Sequence, residues 1–451
     1  MRRPLVLAAA LCVTQPAWPA NGDALVDAYL AAWNGATDRL EAHLDPQFVD
    51  RSTLVPADAH GLALRIAHWR TAVPDLEVTL VERLRSPGRE ALRLRLEGHP
   101  ADPDSLMPLS AGTLAIERTD WLTVIDGRLE ELRTVVDEWS LSPELQFVAP
   151  ASLPRAELPA RTLATFPAGS FLESIAVSPD GRLFVSTGPE GAIVTIGSDG
   201  EIRPFARVPV GPGGFVMCLA FGPDGKLYAS VLSATADVHG IWRFESDGRG
   251  ARFAALPPDT VPNGITLDGR GGLLVADSVG GIIWRVELDT ASVRPWLRDE
   301  RFTARPLVGT FPGINGIQRA GDTVFVTVSD RSLLMRIPLR SDGGAGEPDV
   351  VSGSLAGDDF AIAPDGSLYV TTHPFNTVVR VTPEGRQVVV AGPRQGVVGP
   401  TAAAIGADGA LYVTTDGGLY RSLAGVPIVP GIVRIELPAP SIADASALRL
   451  H

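Results

Sequence analysis

From residue 161 to about 440 the chain alternates apolar and polar positions with a period of two, in short runs bounded by Gly, Asp and Pro. Such runs predict β-strands, and they recur in a fixed order. First comes an apolar run ending in a tight turn: SIAVSPDG, CLAFGPDG, GITLDGRG, DFAIAPDG and AAAIGADG, with NGIQRAGD an altered fourth member. A second run follows (RLFVST, KLYASV, GLLVADS, TVFVTVS, SLYVTT, ALYVTT), then a third (AIVTIG, GIWRFE, IIWRVEL, LLMRIPL, TVVRVTP, GIVRIEL). A weaker fourth closes five of the repeats. Repeats of roughly 43 to 52 residues with four strands each predict a six-bladed β-propeller over 161–440. The sixth repeat lacks its fourth strand, whereas RTLATFP at 161–167 reads as a fourth strand with no repeat before it. It is expected to complete the last blade, which removes an exposed sheet edge.

Residues 23–147 follow another pattern. Leu25, Tyr29, Trp33, Leu40 and Leu44 fall at helical spacing, interrupted at Gly35, and GLALRIAHWRTAV predicts a further helix stopped by Pro74. Four strand-like segments follow: LEVTLVERL, EALRLRLEG, TLAIERTDWLTVIDG and RLEELRTVVDEW. Helices first and an antiparallel sheet afterwards predict an α+β domain. The Pro- and Ala-rich stretch 148–160 reads as a linker and 441–451 as a tail. Residues 1–20 read as a signal peptide: Arg2 and Arg3, an apolar run from Leu5 to Val13, then small residues up to Ala20. A secreted or periplasmic protein follows from that reading.

Composition narrows the class. High Gly (47) and Pro (38) among 451 residues fit many turns, and a net charge of −13 argues against nucleic-acid or anionic-membrane partners. Loss of the leader removes Cys12 and leaves Cys218, so no intrachain disulfide is expected; no other apolar stretch would span a membrane in the mature chain.

The chemistry collects at one point of the repeat. Glu173, Met217, Asn263, Asn315, Asp358 and Thr401 hold the same place in successive repeats. If their strands converge, Glu173, Asn263, Asn315 and Asp358 bring two carboxylates and two amides together, a hard-cation set suited to calcium, with another divalent cation as the alternative. The loops after the second strands open on the same mouth and carry Asp277, Asp330, His373 and Asp416, with His239 on the long second-repeat loop. Met217 is expected to shape the pocket.

The stretches LESIAVSPDG, VPNGITLDGRGGLLVADS and GDDFAIAPDGSLYVTTHPFN resemble the senescence-marker-protein/gluconolactonase (regucalcin-like) family, with paraoxonases and strictosidine-synthase-like proteins as more distant relatives. The resemblance implies calcium held by Glu173, Asn263 and Asp358, and by Asn315 and Asp359 in the paraoxonase manner. It implies hydrolysis of lactones or related esters, with Asp358 as the first candidate for the water-activating base and His373 and His239 as alternatives. Two other readings stay open: a non-catalytic ligand- or peptide-binding propeller with a structural calcium, and a strictosidine-synthase-like condensation. The segments AYLAAWNG, DPQFVD, AVPDLEV and DGRLEEL resemble the SnoaL-like group of the nuclear-transport-factor-2-type cone fold. That resemblance implies a pocket to which His68, Asp50 and Asp137 could contribute, and a homodimer through the first domain. The last strand carries Glu131, Leu132 and Arg133 where a cyclase would present a His, which weighs against cyclase chemistry.

Overall fold

The computed structural model describes residues 21–52, 57–99, 114–136, 153–304, 312–418 and 429–438. The expected leader, Asp137 and the tail from 441 lie outside these residues. Two compact units divide the described chain, one within residues 21–136 and one within 153–438.

In the first unit the helix Asn21–Trp33 buries Leu25, Tyr29 and Trp33 completely on one face. Gly35, at φ +107°, breaks it before a short second helix, Asp38–Glu41. The third helix, Ala59–Ala72, starts at Asp58, whose carboxylate accepts the Gly61 N–H at 2.9 Å, and stops ahead of Pro74. The strands Glu77–Ser86, Arg89–Gly98, Leu114–Ile125 and Arg128–Val136 pair antiparallel in that order. Leu92, Leu94 and Leu96 point inward while Arg93, Arg95 and Glu97 point out. One strand departs from the expected layout. Leu44–Asp50, between the second and third helices, adds to the edge of the sheet parallel to Arg128–Val136, so the sheet is mixed. Its period is obscured by Pro46 and by an irregular register between Leu44 and Val49.

Among the described residues the second unit is six four-stranded antiparallel sheets. Their innermost strands are Leu172–Val177, Phe215–Phe221, Pro262–Leu267, Ile314–Ala320, Phe360–Ile362 and Pro400–Ile405. Each lies against the next, and Pro400–Ile405 lies against Leu172–Val177. Apolar clusters bridge every consecutive pair of sheets; one joins Ala402 and Tyr412 of the last sheet to Leu172 and Val185 of the first. Second strands such as Leu183–Thr187, Leu368–Thr372 and Leu411–Thr415 are buried along their whole length. That is the burial propeller-like stacking requires. The outermost strand of the sixth sheet is Ala160–Thr165, antiparallel to Gly431–Ile435.

A repeated device lies at the inner end of each sheet. In five of the six hairpins the register slips at the ring position, so that two inner-strand residues face one on the second strand. A bulge of this kind re-aims the side chain and frees one backbone N–H. A hydroxyl on the second strand takes up that N–H: Ser186 for Ser174 (3.0 Å), Ser230 for Cys218 (2.9 Å), Thr327 for Gly316 (2.9 Å) and Thr414 for Ala402 (2.9 Å). In the fifth sheet Thr371 takes that of Asp359 at 3.1 Å. Several of these hydroxyls then donate to the next sheet's ring residue: Ser230 to the Asn263 carbonyl (2.5 Å), Thr327 to Asp358 (2.6 Å) and Thr371 to Thr401 (2.8 Å). Thr401 itself donates to the Leu172 carbonyl at 2.7 Å, linking the last sheet to the first. Replacing Thr327 with the near-isosteric valine removes both of its hydrogen bonds and leaves the Gly316 N–H and the Asp358 carbonyl bonded only to each other, at 3.1 Å. The expected loss is about 1–2 kcal/mol, read as a lower denaturant midpoint at unchanged slope.

Candidate metal centre and its mouth

Bulges set Glu173 and Asn315 at the ring position of the first and fourth inner strands, and Asp358 and Asp359 lead into the fifth. Asn315 donates from Nδ2 to Asp358 Oδ1 at 2.7 Å and to Ser329 Oγ at 3.0 Å. With Nδ2 so engaged, Oδ1 is the atom Asn315 can offer a cation. Gly316, the next residue, must be glycine: a Cβ there would meet Asp359 Oδ1 at 2.7 Å. Asn263, 7% exposed, holds the same place on the third inner strand.

The carboxylates are mutually repulsive. Burial, then Asp358, Asp359 and Asp416, push Glu173 well above the ordinary carboxylate range. Asp358 is raised to about 6, mainly by burial; His373 and the Asn315 hydrogen bond pull it back, and Asp416 pushes it further up. Asp359 is raised to about 8 by burial and then by Asp358, against the lowering effect of the Phe360 N–H. Asp359 Oδ1 is buried without a hydrogen-bond partner. A buried acceptor left unmatched among like charges is what a bound cation would correct. Among the described residues no three His, Cys, Asp or Glu side chains close on one point tightly enough to hold an ion alone. A set that added the amide oxygens of Asn263 and Asn315 would have oxygen donors only, which suit calcium.

His373 opens the three-residue 3₁₀ turn that follows the second strand of the fifth sheet. Its Nε2 lies 3.0 Å from Asp416 Oδ2 and its Nδ1 faces Asp358 Oδ2 at 3.5 Å. Asp416 is fully buried and also accepts the Gly418 N–H at 2.7 Å. Phe171 meets the imidazole edge-on at 6.0 Å and Phe215 at 5.3 Å, so one side of the mouth is aromatic.

The other loop residues are placed differently. His239 accepts the Ser233 N–H at Nδ1 (3.3 Å), while Nε2 contacts the Pro257 carbonyl (3.1 Å) and Thr260 Oγ1 (3.0 Å). Burial lowers its pKa, and its two nitrogens tie its own loop to the connection at Pro257 and Thr260. Asp277 accepts the N–H groups of Val261, Val279 and Gly280 and so shapes its turn. Asp330 is buried in the turn Ser329–Arg331. Thr401 serves the link between sheets rather than an ion. Asp416 was not singled out from the sequence beyond its loop. The signal lay in the parallel endings SLYVTTH and ALYVTTD, which put His373 and Asp416 at equivalent places in neighbouring repeats.

The first unit has a buried polar cluster of its own. Asp120 accepts from Tyr29 (2.8 Å), Arg118 Nη2 (2.9 Å) and Thr134 Oγ1 (2.7 Å), and Arg118 stacks 3.8 Å over the Trp33 ring. Asp50, fully buried, lies 2.7 Å from Arg65 Nη2 without hydrogen-bond alignment. Each carboxylate thus faces an arginine. The His68 side chain and Asp137 lie outside the described residues.

Residues 23–145 match the family model of SnoaL-like polyketide cyclases. No curated protein matches the chain. Solved structures similar to it include a calcium-binding regucalcin from Agrobacterium tumefaciens, 18% identical with a TM-score of 0.49 over 63% of this chain and 95% of that one. A gluconolactonase from Xanthomonas campestris is 13% identical, with a TM-score of 0.48 over 64% and 93%. Virginiamycin B lyase from Staphylococcus aureus is 19% identical, with a TM-score of 0.44 over 62% and 100%.

Proposed function

We propose that the chain is an exported, calcium-dependent hydrolase of lactones or related esters, built as a closed six-bladed β-propeller behind a SnoaL-like domain. The observation that carries this reading is the meeting of Glu173, Asn315, Asp358 and Asp359 at one end of the inner strands, with the Asp359 oxygen buried and unmatched. Glu173, Asn263, Asn315, Asp358 and Asp359 would hold the ion. When bound, it would supply a Lewis acid for the carbonyl oxygen of the substrate.

Asp358 takes the proton of the attacking water. Burial makes it a stronger base than an ordinary carboxylate, which suits proton transfer near neutral pH. His373 is less suited to that task, because both of its nitrogens point at carboxylates. His239 has no part in it. Phe171 and Phe215 wall one side of the mouth and exclude water from that side. The substrate enters as a small molecule, and the acidic chain engages no nucleic acid. In the first domain, exposed Leu84, Trp121 and Ile125 support pairing of two copies through its sheet.

The test is hydrolysis of a panel of lactones and aryl esters by protein stripped with a chelator, then supplied with calcium or another divalent cation. Turnover is expected to fall at least about 100-fold on stripping and to return with calcium. Unchanged turnover in chelator, or none across the panel, overturns the hydrolase reading. Calcium-dependent stability without turnover would mark a ligand-binding propeller instead.

A further inference from the structure

We propose that Asp416 and His373 form a chain of positioning residues that orients the Asp358 carboxylate toward the ring centre; this rests on the cation site proposed above. The chain is read from three neighbouring elements. Asp416 follows the second strand of the sixth sheet, His373 follows that of the fifth, and Asp358 enters the inner strand of the fifth. Asp416 is itself immobilised. It is fully buried, its Oδ1 accepts the Gly418 N–H at 2.7 Å, and its own N–H donates to the Gly399 carbonyl at 2.8 Å.

Gly399 is fitted to that carboxylate. Its φ is +61°, and a Cβ there would lie 1.6 Å from Asp416 Oδ1, so no other residue leaves room for the acid. The Gly399 N–H donates to Asn376 Oδ1 at 2.7 Å, and Asn376, in the left-handed region, ends the turn that begins at His373. The segment that makes room for Asp416 is thus tied to the turn that carries its partner. The imidazole then has one arrangement: Nε2 on Asp416 at 3.0 Å and Nδ1 toward Asp358 Oδ2 at 3.5 Å, with the Phe171 edge at 6.0 Å limiting rotation. On its other side Asp358 is held by Asn315 Nδ2. The carboxylate is thus held at Oδ1 by the Asn315 amide and faced at Oδ2 by an imidazole that is itself anchored, which is how outer residues fix a ligand's aim.

The experiment uses the full chain and two readouts. Calcium affinity is measured by calorimetry for the unaltered protein, Asp416→Asn, His373→Ala and the double variant. Imidazole nitrogen resonances of histidine-labelled protein are recorded without metal. The proposal expects each single variant to bind calcium about 10–100-fold more weakly and the double variant to be no worse than either. It also expects Asp416→Asn to shift the Nε2 resonance of His373 in the metal-free protein. Unchanged affinity in both single variants, additive losses, or an unmoved His373 resonance overturns it. If the unaltered chain takes no cation, the ion reading fails, and the His373 resonance alone decides whether the chain exists. If Asp416→Asn does not fold, His373→Ala, at a part-exposed position, carries the affinity test.

Discussion

Asp358→Ala is expected to reduce lactone turnover by about 100–1,000-fold and to weaken calcium binding by a similar factor. Two proposed roles end together in that variant, those of ion ligand and of base for the attacking water, and Asn315 loses the acceptor that fixes its amide. Neither of the neighbours can substitute. Asp359 is turned against Gly316, and His373 is held by Asp416. Asp365→Asn is the control, since Asp365 sits in the turn at the far end of the same hairpin, paired with Arg380. Its turnover should match that of the unaltered protein. Equal activity in Asp358→Ala would show that chemistry occurs elsewhere.

The metal-free protein should lose stability as pH rises from about 4 to 8, and calcium should reverse that trend. The sign follows from the carboxylates. In the folded chain Asp358 titrates at about 6 and Asp359 at about 8, both above the ordinary value of 3.8. A group raised on folding contributes its full stability below the unfolded value and loses it as pH climbs through the folded one. The loss therefore falls mainly between about pH 4, where the unfolded carboxylates ionise, and about pH 8, and amounts to several kcal/mol in order of magnitude, read as a falling melting temperature. A cation binds the ionised form, so its stabilising effect should be larger at pH 8.5 than at pH 5. Thermal unfolding across this range, with chelator and with calcium, measures both. A chelator curve that stays flat would mean that these carboxylates are not held close together in the folded chain.

Much of the second unit was legible because its information is local and repeated. The strand order, the turn positions and the displaced strand at 161–167 follow from a period of two and from tight-turn residues, and Ala160–Thr165 does pair with Gly431–Ile435. What escaped depends on contacts between repeats. Ser186, Ser230, Thr327, Thr371 and Thr414 read as ordinary polar positions in alternating strands; only the bulges show that they receive a displaced N–H. His239 and His373 are both loop histidines in sequence, yet the first ties its loop to the connection at Thr260 and the second lies between two carboxylates. In the first unit, Leu44–Asp50 was missed because its pairing partner lies some 80 residues away and its own pattern is broken by Pro46.

The strand Ala160–Thr165 sets a delay on biosynthesis. Its partner Gly431–Ile435 leaves the ribosome about 265 residues later, roughly 15–50 s at ordinary elongation rates. During that interval the early strand has no mate within its own sheet, and the other five sheets can form before the sixth is complete. An incomplete chain released in this window would carry a bare strand and a bare sheet edge, each able to recruit the complementary piece of another copy. Nascent chains stalled shortly before Gly431 are the species in which entanglement between copies should first appear.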